Sequence, residues 1–278
     1  MPADDDIMAA DGLLDELTSI VSAAAAAIIA ACAGSLDTRT KADLTPVTAA
    51  DHAAEAVILE GLARLLPDTC VVSEEAVGRA LPDRIPDRFV LVDPLDGTRE
   101  LVAGRDEFTI NLAIVDGGRP RLGIVAAPTQ GLLWRGIEGS GAERLSLSPG
   151  APANAAKGRS IIRTRPAPRD GLVAAVSRSH LDPQTEALLA RLPIAACHAC
   201  GSALKFCQIA EGSADVYPRF SPTCEWDVAA GHAVLAAAGG MVTTPEGAPL
   251  RYGRIAENFR VPAFVAWGDP EAAVRLGI

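Results

Sequence analysis

The sequence predicts a mixed α/β (α+β) fold organised in two lobes. The chain has 278 residues, which suits two domains or one large α/β unit. It is 49% hydrophobic and 22% charged, so it can bury a large core. Helical patterns alternate with short apolar strand patterns, and residues 146–170 form a boundary rich in proline, alanine, arginine and serine. We therefore expect an α+β lobe over residues 1–150 and a smaller α/β lobe over residues 151–278.

The first lobe is expected to place two long helices on a mostly antiparallel sheet. Residues 12–33 indicate a helix that ends near Gly34, and Thr48 or Asp51 caps a second helix that runs to Leu66. A polar, proline-containing loop is expected over residues 76–88. Strand patterns occur in "TCVVSEE", "RFVLVD", the hairpin "FTINLAIVDGGRPRLGIVAAP" and "LLWRGIEGSGAERL".

The second lobe repeats the alternation with shorter elements. Strands are expected in "LVAAVSRS", "ADVYPRF", "MVTT" and "AFVAWG". Helices are expected in "QTEALLARL", in "SALKFCQIAEG" after Gly201 and Ser202, and in "EWDVAAGHAVLAAAGG", which ends at a Gly-Gly stop.

Composition and charge argue against a protein that binds duplex nucleic acid and against one that spans a membrane. The net charge is −10 and the pI is about 4.9, which argues against binding to duplex nucleic acid. The uncharged stretch of residues 17–36 is long enough to span a membrane, but it is rich in alanine and follows an acidic flank. We interpret it as a buried core helix and leave a peripheral membrane contact open. Six scattered cysteines without a secretory signal predict reduced thiols and a cytoplasmic location.

The motif "DPLDGT" is the strongest chemical signal in the chain. Asp93 ends an apolar run, and the fixed φ and missing donor of Pro94 are expected to stop the strand there. Side chains on a strand alternate between faces, so a turn must bring Asp93 and Asp96 together. Carboxylates three residues apart, with the carbonyl of Leu95 between them, suit hard divalent cations. A solvated aspartate turn or a helix cap explains the same motif if it stands alone.

Other acidic residues at element ends favour the metal interpretation. Glu74 and Glu75 follow the strand "CVVS", and Asp227 lies in the first turn of a helix. Carboxylates that repel one another near one sheet edge are costly unless a cation neutralises them. Glu74, Asp93, Asp96 and Asp227 could bridge two Mg²⁺ ions about 4 Å apart, an arrangement that supports phosphoryl transfer.

A covalent mechanism is the chemical alternative. Phosphatases that form an aspartyl phosphate carry Asp-x-Asp-Gly-Thr, in which the aspartates are two residues apart and the first is the nucleophile. The spacing here is three, because Pro94 and Leu95 separate Asp93 from Asp96. This spacing favours a water nucleophile activated by metal over a covalent aspartate.

These motifs together resemble the inositol monophosphatase superfamily of Mg²⁺-dependent, lithium-sensitive phosphatases. The resemblance rests on "SEE", "DPLDGT" and "EWDVAAG" and extends from about Lys41 to Gly240. "KADLTPVTAAD", "SRSHLD" and "GSALKFCQIAEG" are most similar to the 3'(2'),5'-bisphosphate nucleotidases of the CysQ type. The resemblance implies a layered αβαβα sandwich and hydrolysis of 3'-phosphoadenosine 5'-phosphate to AMP and phosphate, a disposal step of sulfate assimilation.

The resemblance also implies roles for individual residues. Glu74, Asp93 and the Leu95 carbonyl would hold one Mg²⁺, and Asp93, Asp96 and Asp227 a second. Asp51 and Thr98 would form a hydrogen-bonded pair that orients the attacking water and takes its proton. The backbone of Gly97 and Thr98 would receive the scissile phosphate. A third ion is implied at the loop Lys41–Val47. The implied catalytic residues are Asp51, Thr98 and Glu74; the implied substrate contacts include Glu74, Leu95, Asp96, Gly97, Thr98 and Asp227.

The second half of the chain is expected to select the substrate. Gly201 and Ser202 precede a helix, whose N-terminal amides bind anions, and Lys205 follows in its first turn. We interpret Lys205 as a phosphate or ribose contact and His180 as a nucleotide contact; a solvated lysine and a surface histidine are the alternatives. An inositol-1-phosphate or fructose-1,6-bisphosphate phosphatase, or a metal- or nucleotide-binding sensor without turnover, also fits these motifs. The protein is expected to be a monomer or a homodimer.

Overall fold

A computed structural model describes residues 4–33, 39–40, 46–77, 84–178 and 182–276. The N-terminal elements are helix α1 (Asp4–Cys32), the short paired strands β1 (Arg39–Thr40) and β2 (Pro46–Val47), and helix α2 (Ala49–Leu65), which packs beside α1. Thr48 is the N-cap of α2, as the sequence predicts. Its side chain accepts a hydrogen bond from the amide of Ala50, and Asp51 completes a capping box.

The first sheet has seven strands in chain order, and its first two strands are parallel while the others are antiparallel. The five-residue helix α3 (Thr98–Val102) follows the second of these strands. The strands are β3 (Cys70–Ser73), β4 (Arg88–Asp96), β5 (Thr109–Asp116), β6 (Arg119–Ala127), β7 (Leu132–Ile137), β8 (Gly141–Ser146) and β9 (Gly158–Ile162).

The second sheet has five strands and mixed direction. Its elements, in chain order and with the helices between them, are β10 (Leu172–Ser177), α4 (Pro183–Leu189), β11 (Ile194–Cys200), α5 (Leu204–Ala210), β12 (Val216–Arg219), the ribbon strand β13 (Thr223–Cys224), α6 (Glu225–Ala237), β14 (Met241–Thr243), the ribbon strand β15 (Arg260–Val261), β16 (Phe264–Trp267) and α7 (Pro270–Leu276). The sheet order is β11-β10-β12-β16-β14, and β13 pairs separately with β15.

These elements stack as five layers, which confirms the expected αβαβα sandwich. One core cluster joins α1 and α2 to one face of the first sheet. A second fills the space between the two sheets, where α5 and α6 lie, and a third packs α4 and α7 on the outer face of the second sheet. The inner strands of each sheet are therefore buried on both faces, which explains their continuous apolar runs, whereas the edge strands β9 and β11 are largely exposed.

The alanine-rich helix α1 is part of this core. Its segment Asp11–Cys32 has the length and composition of a membrane span. In the structure Leu17, Val21 and Ile28 are fully buried in the cluster that α1 shares with α2 and the first sheet. Its place in the core therefore accounts for its apolar composition.

Several predicted boundaries shift in the structure. Helix α1 begins at Asp4 rather than near residue 12, and α5 begins at Leu204, after an N-cap at Ala203, rather than directly after Ser202. Strand β11 was not predicted. Strand β9 follows the expected boundary at residue 150 and still belongs to the first sheet, so we propose that the lobes divide within residues 163–171.

The packing of α6 on the first sheet provides a test of the layered core. A Cβ atom added to Gly123 of β6 would lie 2.3 Å from the carbonyl oxygen of Ala230 and 2.7 Å from Cβ of Ala233, both on α6. We expect Gly123→Ala to lower the free energy of unfolding by about 1–3 kcal/mol, because overpacking displaces the helix. Denaturant unfolding measures this change.

Gly12 is the matched control for Gly123. It lies in α1, and a Cβ added there meets no atom within 4 Å. Gly12→Ala should raise the free energy of unfolding by about 0.5–1 kcal/mol, because alanine is the better helix former. Equal and small effects of the two substitutions would contradict the close approach of α6 to β6.

Candidate metal centre and active site

Parallel pairing of β3 and β4 places the first two carboxylates at one sheet edge. Ser73 pairs with Val92, and the amide of Glu74 donates to the carbonyl of Val92 at 3.1 Å. The next residues along the two strands are therefore Glu74 and Asp93. Because parallel strands end at the same edge, acids that follow both strands come together there.

A β-bulge in β4 brings Asp93 and Asp96 to the same face of the sheet. Asp93 pairs with Asn111 and Asp96 pairs with Thr109, so three residue steps on β4 oppose two steps on β5. Thr109 and Asn111 share a face, and their side chains are hydrogen-bonded at 3.0 Å. The expectation that Pro94 stops the strand is wrong: β4 continues to Asp96. Proline is accommodated because a bulge leaves one backbone position outside the ladder.

Helix α6 delivers the fourth carboxylate. Asp227 is its third residue, and its Oδ2 accepts hydrogen bonds from the amide of Cys224, at 2.9 Å, and from the hydroxyl of Thr223. Carboxylate oxygens of Glu74, Asp93 and Asp227 lie within 4.8 Å of one another. We refer to Glu74, Asp93, Asp96 and Asp227 as the four-carboxylate cluster.

Burial and repulsion by neighbouring carboxylates raise the pKa values of Asp93 and Asp96. Asp93 is 1% exposed, and burial, followed by the charges of Glu74, Asp96 and Asp227, raises its pKa well above the ordinary value. Burial and the charge of Asp227 raise the pKa of Asp96 to about 7. Accumulated negative charge of this kind favours either protons or a bound cation.

The donor set of the cluster fits Mg²⁺. All four side chains offer hard carboxylate oxygens, and the cavity wall adds the backbone at Leu95. Asp93 Oδ1 accepts the amide of Leu95 at 3.0 Å, which holds the Pro94–Leu95 bulge against that carboxylate. Oxygen-only donors with several negative charges are typical of magnesium sites in phosphoryl-transfer enzymes.

Asp51 and Thr98 form a hydrogen-bonded pair at the N-terminus of α3. The Thr98 hydroxyl donates to Asp51 Oδ1 at 3.0 Å and lies 3.3 Å from the carbonyl oxygen of Leu95. The other oxygen, Oδ2, accepts from the amide of Thr48 at 2.8 Å and from its hydroxyl at 2.7 Å. The cap of α2 therefore fixes the orientation of a carboxylate that is 1% exposed.

Gly97 is required by both conformation and space. It adopts φ 99° at the N-cap of α3, and an added Cβ would lie 2.4 Å from the Ser202 hydroxyl. The first-turn N–H groups of a helix have no partner within the helix, and both Gly97 and Thr98 line the central cavity. This turn can therefore receive an anionic oxygen.

Two of the residues expected to contact the substrate, Gly201 and Lys205, are hydrogen-bonded to other groups of the protein. Gly201 donates its amide to Glu107 Oε2 at 3.0 Å. Lys205 is 1% exposed and lines the cavity; its Nζ donates to the carbonyl of Ser202 at 2.6 Å, and its charge lowers the pKa of Asp96. His180 and most of the loop Lys41–Val47 lie outside the described residues, so their roles stay predictions.

The structure adds residues that sequence reasoning missed. Asn111 is fully buried, and its Nδ2 lies 3.5 Å from Asp96 Oδ2. Arg219 lines the cavity and donates to the Tyr217 hydroxyl at 3.3 Å. The sequence marks Asn111 as a polar residue inside the apolar run "TINLAIVD", and it marks Arg219 as a basic residue at the end of "VYPR". Glu107 and Arg178, which form a bidentate ion pair, carried no local signal.

Fold and site together define a class of protein. A cavity of about 450 Å³ lies where the bulge of β4 meets the N-terminal ends of α3 and α6, and the four-carboxylate cluster lines it. Carboxylates for hard cations, an oriented Asp-Thr pair and a helix N-terminus suit hydrolysis of a phosphate ester. The chain belongs to the inositol monophosphatase family, whose family model matches residues 11–266. This family is generally Mg²⁺-dependent.

Individual sequences and structures show which members of this family the chain resembles. The chain is 42% identical to the 3'(2'),5'-bisphosphate nucleotidase CysQ of Escherichia coli K12 over 255 residues, which covers 91% of this chain and 98% of that protein. The crystal structure of CysQ from Bacteroides thetaiotaomicron aligns with a TM-score of 0.73 at 33% identity, covering 91% and 96% of the two chains. An inositol monophosphatase from Anabaena aligns with a TM-score of 0.73 at 25% identity, covering 96% and 94%.

Proposed function

We propose that this protein is a Mg²⁺-dependent 3'(2'),5'-bisphosphate nucleotidase that hydrolyses 3'-phosphoadenosine 5'-phosphate to AMP and phosphate. The observation that carries the proposal is the four-carboxylate cluster beside the Asp51–Thr98 pair. Its occurrence in a chain 42% identical to curated CysQ nucleotidases supports the choice of substrate. The reaction would be phosphomonoester hydrolysis, in the disposal step of sulfate assimilation that the resemblance implies.

Carboxylates and one carbonyl would hold the cations. Glu74, Asp93 and the Leu95 carbonyl would form one ligand set, and Asp93, Asp96 and Asp227 would form the other, so Asp93 would belong to both. When bound, Mg²⁺ polarises the phosphoryl oxygens and lowers the pKa of the attacking water. Two ions match these two sets, and a third would involve the loop Lys41–Val47.

Asp51 and Thr98 would handle the proton of the attacking water. The Thr98 hydroxyl donates to Asp51 Oδ1, so its oxygen can accept a hydrogen bond from the attacking water. As the water gives its proton to Thr98 Oγ1, the hydroxyl would pass its own proton to Asp51, which ends as the carboxylic acid. The amide and hydroxyl of Thr48 donate hydrogen bonds to the other oxygen of Asp51. The carboxylate is therefore already oriented for the reaction and does not have to move.

The rest of the cavity would bind and orient the nucleotide. The backbone at Gly97 and Thr98 would face the scissile phosphate, and the positive charges of Lys205 and Arg219, which line the same cavity, offset the negative charges of the acidic cluster. Ser202 and His180 would contact the nucleotide, as their positions in the sequence predict. The six cysteines are free thiols, which agrees with the proposed cytoplasmic location.

Phosphate release from 3'-phosphoadenosine 5'-phosphate, with and without Mg²⁺, tests this proposal. Inositol 1-phosphate and fructose 1,6-bisphosphate serve as competing substrates. We expect a clear preference for the bisphosphonucleotide and loss of activity on chelation. Equal rates on the panel would reject the substrate, a phosphorylated Asp93 would reject the water mechanism, and background activity at saturating Mg²⁺ would indicate a sensor.

Asp96→Asn is the matched variant for this assay. It keeps the size of the side chain and removes a charge from the cluster. We expect the rate to fall at least ~100-fold, on the scale of a disrupted metal site. A variant with wild-type activity would refute the ligand role of Asp96.

A further inference from the structure

An ion pair joins the two sheets beside the four-carboxylate cluster. Glu107 lies between α3 and β5, and Arg178 directly follows β10. The Arg178 Nε and Nη2 atoms donate to the two Glu107 oxygens at 2.9 and 2.7 Å. The Gly201 amide donates to the same carboxylate at 3.0 Å, and Arg178 Nη2 also donates to the carbonyl of Ala199 at 2.7 Å. Glu107 therefore ties the first sheet to two segments of the second.

Ser202 extends this network to a residue of the cluster. Its hydroxyl lies 2.8 Å from the carbonyl oxygen of Asp96 and 2.9 Å from that of Glu107, so its proton is shared between the two. Ser202 adopts φ 51°, a left-handed conformation that is uncommon outside glycine. Lys205 Nζ holds the carbonyl of Ser202 at 2.6 Å. The order of contacts is thus Arg178, Glu107, Ser202 and Asp96.

Close packing leaves this network little room to relax. A Cβ on Gly97 would lie 2.4 Å from the Ser202 hydroxyl, and a Cβ on Gly201 would lie 2.6 Å from the Glu107 carbonyl oxygen. Both glycines therefore mark points where the two segments touch. In a closely packed region a displacement of Glu107 or Ser202 is transmitted to the turn that holds Asp96 and Gly97.

We propose that Glu107 and Arg178 are positioning residues that hold Asp96 in its metal-binding geometry through Ser202. The proposal rests on the ligand role of Asp96 in the proposed function. Partly exposed ion pairs contribute little to stability, so the value of this pair lies in its geometry. The planar guanidinium fork fixes the carboxylate in two directions, which a lysine does not do. Neither side chain needs to touch the substrate.

Glu107→Gln tests the proposal with three separate readouts. Titration calorimetry with Mg²⁺, without substrate, should show affinity about 10-fold weaker, and kcat should fall about 10-fold, in the range found for residues that orient metal ligands. KM for the nucleotide should change less than about 3-fold, because the variant alters positioning rather than binding. The melting temperature should fall by less than about 3 °C, because the pair is partly exposed.

Glu138→Gln is the matched control. Glu138 pairs with Arg119 at 2.8 Å and also with Arg121, and the Arg119 and Glu138 side chains are 52% and 28% exposed, close to the 40% and 25% of Arg178 and Glu107. These residues lie on the β5–β6 hairpin side of the sheet. This control should bind Mg²⁺ and turn over like the wild type. Equal losses in the two variants would overturn the proposal, and so would wild-type Mg²⁺ affinity in Glu107→Gln.

Two further variants separate positioning from other roles. Arg178→Lys keeps the charge and loses the fork, so it should show most of the loss of Glu107→Gln; a variant as active as the wild type would overturn the role of the fork. Glu107→Gln combined with Arg178→Met should lose no more than the worse single variant, since both act through one path. Additive losses would overturn that path. If the wild type proves inactive on the bisphosphonucleotide, the calorimetry still tests the network.

Discussion

Asp93→Asn is expected to lower phosphate release at least ~1,000-fold, because it removes the carboxylate that would be shared by both cations. The same substitution should stabilise the metal-free protein. Asp93 is almost fully buried beside Glu74, Asp96 and Asp227, and without cations their charges repel one another. Asparagine keeps the shape of the side chain and can still accept the amide of Leu95.

Thermal unfolding in a chelator measures the second effect. The melting temperature of metal-free Asp93→Asn should rise by about 2–5 °C, while the stabilisation that Mg²⁺ gives the wild type should be lost. The exposed Asp116, at the far end of β5, provides the control, and Asp116→Asn should change neither property. A chelated Asp93→Asn protein that is less stable than the wild type would show that the carboxylate supports the fold rather than opposing it.

Asp51→Asn is expected to lower kcat about 1,000-fold, within the range for a lost general base. The hydrogen-bonded pair of Asp51 and Thr98 is the physical reason, since an asparagine amide cannot accept the proton that the Thr98 hydroxyl would pass on. Thr98→Val should give a loss of similar size. Because the two residues act as one unit, the double variant should be no slower than the slower single variant, and independent losses would contradict the pair.

Thr48→Val distinguishes the contribution of the α2 cap to stability from the contribution of the Asp51–Thr98 pair to activity. It removes the side-chain oxygen that accepts the amide of Ala50 and caps α2, so it should cost about 1 kcal/mol of stability. The Thr48 amide still holds Asp51 at 2.8 Å, so activity should fall less than ~10-fold. A loss of activity as large as that of Asp51→Asn would mean that the cap, rather than the carboxylate, limits turnover.

Local sequence signals predicted much of the fold. The cap of α2 and the turn at Gly97 depend on contacts within a few residues, and the structure shows a capping box at Thr48 and φ 99° at Gly97. The alternation of helices and apolar strands predicted a mixed α/β fold, and the family resemblance implied its layered architecture. Strand β11 was missed because its central residues are all exposed and most of them are alanine, so its sequence lacks the apolar–polar alternation of a half-buried strand.

The site itself divides between sequence and tertiary structure. The sequence by itself determined the acidic motif and the class of chemistry, because those depend on residue type and short spacing. The pairing of Asp51 with Thr98, which lies 47 residues further along the chain, was implied by the family resemblance and not by a local pattern. Tertiary structure decided that Glu74 meets Asp93 through parallel pairing, that a bulge rather than a strand end brings Asp96 to the same face, and that Glu107 reaches Arg178. The physical reason is that strand register and helix packing sum many weak contacts between distant segments, and no local pattern records them.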